Sequence, residues 1–204
     1  PGVEFTDSAV FEYDRTRAAG LRHFIQRTPG LVFEAHSTDY QPPEALRALV
    51  DDRFAILKVG PWLTFAFREA VFGLEEVEKE WLRGCRAVRL SGLRSALEAA
   101  MAERPEHWRG HHRGEEHEVR ALRAFGYSDR VRYYWPDAGV QSALRRLFAN
   151  LRAAPPPLPL LSQYLPSGYE AVRAGEIRRD PEALVGHRIR EVTRIYARAC
   201  AMGV

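Results

Sequence analysis

Polar residues follow two apolar stretches of the sequence, at points where binding or catalysis could take place. The first stretch runs from Leu31 to His36 and the second from Phe54 to Val59. In parallel α/β sheets, the reactive side chains lie just past the carboxyl ends of the strands. The candidates for binding a substrate or its phosphate group are therefore the residues at these ends: His36, Ser37, Thr38, Asp39, Lys58 and Gly60.

Glu34 and His36 lie two residues apart, which places both on one face of a strand. His36 lies at a strand end, so it could bind a metal or another ligand, with Glu34 as a possible second metal ligand on the same face. Alternatively, a hydrogen-bonded His36 orients the loop. Lys58 could bind phosphate as a point charge, or pair with Glu34 or Asp39.

A polar segment between residues 104 and 117 contains four of the seven histidines. They are His107, His111, His112 and His117. Their spacing matches no known metal-ligand pattern, and arginines and glutamates surround them. We expect this segment to be a solvated surface.

Arginines and aromatic residues are concentrated near residue 130. The residues concerned are Arg130, Arg132, Tyr133, Tyr134 and Trp135. Arginine and aromatic side chains are favoured at protein interfaces. We expect this segment either to pack the later part of the chain on the earlier part or to contact another subunit. Stacking on nucleic acid is the third alternative.

The elements that position these residues alternate between strand and helix, which predicts βαβ units and a parallel sheet. The apolar run Leu31–Ala35 is typical of a strand covered on both faces. Asp14 and Asp39 are predicted to cap the helices that follow them. Apolar residues at intervals of three and four predict a long helix from Trp62 to about Leu82, entered through Gly60-Pro61.

No strand pattern follows Gly84, and the remaining apolar periodicities are helical. They predict helices near residues 93–101 and 115–125, a helix from Ala138, and a last helix capped at Asp180-Pro181. We therefore divide the chain into terminal βα units, residues 1–84, and a helical extension, residues 85–204. Two or three parallel strands cannot cover both of their edges, so the pattern alone predicts half a domain that would dimerise, aggregate or need a partner.

Composition places the chain among ordinary globular proteins. It has 204 residues, of which 46% are hydrophobic and 28% charged, with a net charge of +3. No apolar run approaches the roughly 20 residues of a membrane span, and acidic and basic residues are interspersed, which argues against nucleic-acid binding. Cys85 and Cys200 have no disulfide or metal spacing, so we expect a reducing cytoplasm. A sequence that begins at Pro1 is expected to be part of a larger protein.

Four stretches resemble the non-catalytic (GatZ/KbaZ-type) subunit of class II D-tagatose-1,6-bisphosphate aldolase. They are FEAHSTDYQ at 33–41, FAILKVGP at 54–61, SDRVRYYWP at 128–136 and SQYLP at 162–166. Residues 83–127 match only loosely. The resemblance implies an α/β fold, namely the carboxyl half of a TIM (β/α)8 barrel. This half would comprise the last two or three parallel strands and an all-helical C-terminal extension packed on the barrel.

The resemblance also implies a function. The family accompanies a catalytic aldolase subunit, supports its activity and stability, and acts in galactitol or N-acetylgalactosamine catabolism. It implies an oligomeric assembly, a sugar phosphate as a possible ligand, and zinc either at the barrel mouth or in the catalytic partner. The alternatives are a sugar-phosphate lyase or isomerase in its own right and, from an older label of the family, a tagatose-6-phosphate kinase. The sequence has no Gly-rich phosphate loop that would favour the kinase.

The barrel ends also resemble those of the catalytic class II aldolases, with two replacements. His36 stands where those enzymes have a zinc ligand, but the segment 37–39 replaces their small phosphate-binding loop. Lys58-Val59-Gly60 replaces Lys-Val-Asn, so the substrate-binding carboxamide is lost. The resemblance therefore implies that the catalytic features are partly replaced.

Overall fold

The computed structural model describes residues 3–201; residues 1, 2 and 202–204 lie outside the described part. The strands are β1 (Glu4–Phe5), β2 (Val10–Phe11), β3 (Phe33–Ala35) and β4 (Phe54–Leu57). The α-helices are α1 (Ala19–Gln26), α2 (Pro43–Asp51), α3 (Trp62–Leu82), α4 (Leu93–Glu103), α5 (Glu116–Phe125), α6 (Ala138–Ala153), α7 (Leu158–Tyr164), α8 (Pro166–Arg173) and α9 (Pro181–Ala199). Two short 3₁₀ helices are Pro105–His107 and Arg130–Tyr133. The fold is α/β, as the sequence predicts.

Strands β3 and β4 pair in parallel across α2, which confirms the predicted βαβ unit. Both strands are shorter than predicted, because Leu31 and Val32 precede the paired region and residues 58–59 follow it. A register irregularity between Phe33 and Glu34 limits the ladder further. The two strands therefore present their carboxyl ends side by side.

One face of the β3–β4 pair is open to solvent. Ile56 is 48% exposed, and so is 59% of Val32, which directly precedes β3; the prediction of strands covered on both faces is therefore wrong for the described chain. The other face is packed, with Ala35 and Phe54 buried. Among residues 3–201, no further strand pairs with β3 or β4, which leaves the apolar side chains of the open face uncovered.

The amino-terminal region differs from the prediction in two places. Strands β1 and β2 form an antiparallel hairpin, which the sequence patterns did not predict. Asp14 does not cap a helix. Its carboxylate accepts hydrogen bonds from the N–H groups of Thr16 and Arg17 in a turn, and α1 begins only at Ala19.

Helix α3 has the predicted bounds and lies at the centre of the molecule. Towards the sheet, Ala66 belongs to a core cluster shared with α2, α9 and β4. On its opposite face, Val71 and Leu74 are fully buried against α4, α6 and α7. Because α3 follows β4 after a short turn, this packing fixes the position of the carboxyl end of the sheet.

The chain after α3 is helical throughout the described region. The predicted cap of the last helix is confirmed, because the Asp180 carboxylate accepts a hydrogen bond from Ala183 N–H at 2.8 Å. Helix α9 then packs along α2 and α3. None of the helices within residues 3–201 combines the length and the apolarity needed to cross a membrane.

Candidate functional site

Three of the predicted site residues form an exposed ionic cluster past the carboxyl ends of β3 and β4. The Glu34 carboxylate lies 2.6 Å from His36 Nε2 and 2.7 Å from Lys58 Nζ. The hydrogen bond from Lys58 is the main cause that lowers the pKa of Glu34 below its ordinary value. Of the two pairings that the sequence left open, Lys58 therefore forms the one with Glu34.

The cluster does not by itself fit a zinc ion. Glu34 is engaged by an ammonium group, and catalytic zinc needs about three protein ligands. Across residues 3–201, no group of three histidine, cysteine or acidic side chains is arranged to hold a metal. Zinc binding at Glu34 and His36 would therefore require ligands from elsewhere.

Asp39 is buried and forms hydrogen bonds at the start of α3. Its carboxylate accepts hydrogen bonds from Gly60 N–H at 2.8 and 3.0 Å and from Trp62 N–H at 2.9 Å. Burial raises the pKa of Asp39 above its ordinary value, although these N–H groups partly oppose the change. The prediction that Asp39 caps α2 is wrong, because the capping position there is Pro42, without a side-chain hydrogen bond.

Gly60 gives the Asp39 carboxylate the room it needs. A Cβ atom at position 60 would lie 3.1 Å from Asp39 Oδ2, which is closer than ordinary van der Waals contact. The loop that carries Asp39 is tightly wound, with positive φ at Ser37 (56°) and Tyr40 (62°). Asp39 and Gly60 therefore form one structural unit that joins the end of β3 to the start of α3.

Thr38 is held from two sides. Its hydroxyl donates to the Lys58 carbonyl at 2.8 Å, and the Tyr196 hydroxyl donates to the Thr38 carbonyl at 2.9 Å. Tyr196 belongs to α9, so the last helix closes over the loop. Tyr40 is fixed in a similar way, because its hydroxyl donates to the Tyr127 carbonyl at 2.6 Å. The sequence patterns did not identify either of these tyrosine contacts.

With this geometry established, comparison with known proteins identifies the family. A sequence model of the D-tagatose-1,6-bisphosphate aldolase subunit GatZ/KbaZ-like family matches residues 1–201. The chain belongs to this family. It is also similar to a crystal structure of a probable tagatose 6 phosphate kinase from Sinorhizobium meliloti 1021, with 44% sequence identity and a TM-score of 0.91. That match covers 98% of this chain and 51% of the other, so this GatZ/KbaZ-like chain spans about half of its relative's length.

A buried ion pair links the βα units of this GatZ/KbaZ-like chain to its helical region. Arg68 Nε lies 2.9 Å from Asp129 Oδ1, and both side chains are almost fully buried. The guanidinium group also lies 4.0 Å from the centroid of the Phe65 ring. Sequence analysis missed this pair. The available indication was an arginine within the apolar run of α3, but nothing local pointed to its partner.

The predicted interface residues separate into internal and exposed ones. Tyr134 is fully buried and donates to the Arg104 carbonyl. Trp135 packs edge-on against Phe67 of α3, with ring centroids 4.9 Å apart. These two side chains pack the helical region on α3, which is one of the two roles that the sequence predicted. Tyr133 remains 40% exposed and is the aromatic of this segment that could meet a partner.

The four histidines of residues 104–117 do not converge. His107 stacks on Tyr133, with ring centroids 4.7 Å apart, and His111 Nδ1 lies 3.1 Å from Arg130 Nη2. His112 is buried 3.7 Å from Asp7, and burial lowers its pKa. The expectation of a wholly solvated segment is therefore wrong at His112.

Proposed function

We propose that this chain forms half of an accessory, non-catalytic subunit of a class II D-tagatose-1,6-bisphosphate aldolase. The subunit supports the activity and stability of a catalytic partner in galactitol or N-acetylgalactosamine catabolism. Membership of the GatZ/KbaZ-like family supports this role. The Asp39–Gly60 unit is the structural observation that carries it.

The Asp39–Gly60 unit argues for a supporting role because it occupies the position of catalytic features. In the resemblance to catalytic class II aldolases, an asparagine carboxamide stands where this chain has Gly60. Here the Asp39 carboxylate lies beside that position and satisfies the N–H groups that open α3. A carboxylate at a helix N-terminus disfavours a second anion there. Substrate phosphate would therefore bind poorly at this point.

The exposed face of the β3–β4 pair supports the half-barrel part of the proposal. Consecutive parallel strands joined by helices are the units from which a TIM barrel is built. In a closed barrel, side chains such as Val32 and Ile56 are covered by neighbouring strands or helices. We infer that the remainder of the longer protein supplies that cover. The similarity to half of a longer relative agrees with this arrangement.

In this proposal, zinc belongs either to the catalytic partner or to the barrel mouth of the longer protein, where residues outside this chain would complete the ligands with Glu34 and His36. The proposed location is the cytoplasm. Cys85 and Cys200 are free and exposed, and exposed thiols persist in a reducing compartment.

An aldolase assay with the catalytic subunit, with and without the natural polypeptide that contains this chain, tests the proposal. We expect the two proteins to copurify and the partner's activity and thermal stability to rise. Tyr133→Ala should weaken copurification, whereas Trp81→Ala should not, although Trp81 is similarly exposed at 47%. If neither binding nor a change in the partner's activity is observed, the accessory role is wrong.

The alternative function, a sugar-phosphate lyase or isomerase that acts alone, would use the exposed Glu34–His36–Lys58 cluster at the barrel mouth. That function requires turnover without a partner and its loss in His36→Ala. Under the accessory role, His36→Ala leaves partner stimulation intact, so the same variant separates the two functions.

A further inference from the structure

A polar cleft lies beside the carboxyl end of β4, next to the Asp39–Gly60 unit. It has a volume of about 350 Å³ and is lined by the end of β1, Pro61 and the segment that follows α5. The polar lining residues on which the inference rests are His111, Ser128, Arg130 and Arg132. We call this feature the arginine cleft.

The hydrogen-bond partners of the two arginines of the cleft are not carboxylates. Arg130 Nη2 lies 3.1 Å from His111 Nδ1, which accepts the hydrogen bond in the tautomer that carries its hydrogen on Nε2. Arg132 donates to the Ser128 carbonyl and, at 2.8 Å, to the Tyr133 hydroxyl. Within residues 3–201, neither guanidinium forms a salt bridge with a carboxylate. Neither guanidinium is therefore neutralised by direct contact with a carboxylate, although Arg132 lies close enough to Asp39 to oppose the rise in the pKa of that carboxyl.

Three buried atoms of the cleft residues have unused hydrogen-bonding capacity. The donors Ser128 Oγ and Arg130 Nε and the acceptor Asp7 Oδ1 have no hydrogen-bond partner in the described part of the chain. Buried polar atoms are nearly always hydrogen-bonded, so two such donors beside paired arginines mark a place for an acceptor. The acidic lining residue, Asp7, lies 3.7 Å from the buried His112 rather than forming a salt bridge with either arginine.

We propose that the arginine cleft binds the phosphate group of a phosphomonoester or inorganic phosphate itself. Guanidinium forks match the geometry of phosphate oxygens and form strong, charge-assisted hydrogen bonds with them. The volume lies near the lower end of the range for small-ligand sites, which suits a sugar phosphate. This inference goes beyond the accessory role and rests on the cleft residues alone.

Titration calorimetry on the natural polypeptide tests the site with three probes: inorganic phosphate, a hexose 6-phosphate and the unphosphorylated hexose. We expect both phosphate compounds to bind and the free hexose not to bind. Hexose phosphate binding more tightly than phosphate would identify a phosphomonoester as the ligand, whereas equal affinities would identify phosphate itself. Loss of one charge-assisted contact should weaken binding by about tenfold or more in Arg130→Gln and Arg132→Gln.

Two further variants separate binding from folding. Arg145→Gln removes the same charge from an exposed position on α6 and should bind phosphate normally. Ser128→Ala removes a hydroxyl that has no partner, so it should weaken binding by a few-fold without lowering the melting temperature. Absence of phosphate binding at millimolar concentration, or equal binding by all four variants, would overturn the proposal. Because no catalytic partner is present, failure here is distinct from failure of the accessory role.

Discussion

Replacing Arg68 by alanine removes one half of the buried ion pair that joins α3 to the segment after α5. The Asp129 carboxylate would then remain in the interior without its guanidinium partner, whose Nε lies 2.9 Å away in the native protein. The substitution also removes the cation that lies over the Phe65 ring at 4.0 Å. Both losses weaken the contact between the βα units and the helical region.

The expected loss in free energy of unfolding follows from the burial of both side chains. Only 2% of the Arg68 side chain and none of the Asp129 side chain is exposed. Breaking a buried pair by removing one partner costs about 3–5 kcal/mol, because the remaining charge is left uncompensated. In a chain of this size each kcal/mol corresponds to roughly 2–4 °C in melting temperature. We therefore expect Arg68→Ala to lower the melting temperature by about 6–20 °C.

Chemical denaturation of Arg68→Ala and Asp129→Asn, alone and combined, measures the coupling between the two side chains. Asparagine is chosen because Asp129 has a positive φ of 46°, which asparagine tolerates. The control is Arg47→Ala, which breaks an exposed pair with Asp51 and should cost about 0.5 kcal/mol or less. If Arg68→Ala costs no more than the control, or the two effects simply add, the ion pair does not stabilise the fold as argued.

Substitutions of Asp39, Asp52 and Gly73 also have defined outcomes. Asp39→Ala should lower the free energy of unfolding by about 1–3 kcal/mol in urea, because two buried N–H groups lose their acceptor; Asp39→Asn, which keeps one acceptor oxygen, should cost less. Burial raises the pKa of Asp52, but hydrogen bonds from an arginine and a tyrosine outweigh it and lower the pKa below 3.8. The unfolded chain therefore takes up this proton first, so wild-type stability should fall as the pH drops below about 3.8. Melting curves of Asp52→Asn should show lower stability at pH 7 and a shallower loss in acid. Gly73→Ala should cost about 1–3 kcal/mol in urea, because its Cβ would lie 2.8 Å from the Tyr164 carbonyl oxygen, whereas Gly20→Ala, with open space around it, should not destabilise.

Local sequence patterns predicted the helices that are determined by residues close to them in the sequence. Helix α3 was predicted with its observed bounds, because its apolar residues repeat at three and four positions and Gly60-Pro61 interrupts the strand before it. The start of α9 was predicted because Asp180 and Pro181 are next to each other in the sequence. The parallel pairing of β3 and β4 followed from the helix between them. The two helix features depend on neighbours within one or two turns, and the strand pairing depends on the single helix between the strands.

The contacts that shape the candidate site join residues far apart in the chain. Asp39 has the residue type and the position expected of a cap for α2. Its carboxylate instead accepts hydrogen bonds from Gly60 and Trp62 at the start of α3. Tyr196 meets Thr38 across 158 positions. No periodicity within a single element encodes such a contact. The family resemblance identified the segments that form the candidate site. Only the structure showed which of their side chains form hydrogen bonds within the protein.

The Asp39–Gly60 unit and the arginine cleft differ in how they would interact with an anion. At the start of α3, the N–H groups that could hold an anion are already bonded to a carboxylate of the protein, and Gly60 provides the space for it. In the cleft, two guanidinium groups lack a carboxylate partner within residues 3–201. An anion that approaches this end of the sheet is therefore disfavoured at α3 and favoured beside Arg130 and Arg132. The proposed accessory role and the proposed phosphate site are therefore compatible, because the first rests on the start of α3 and the second on the arginine cleft.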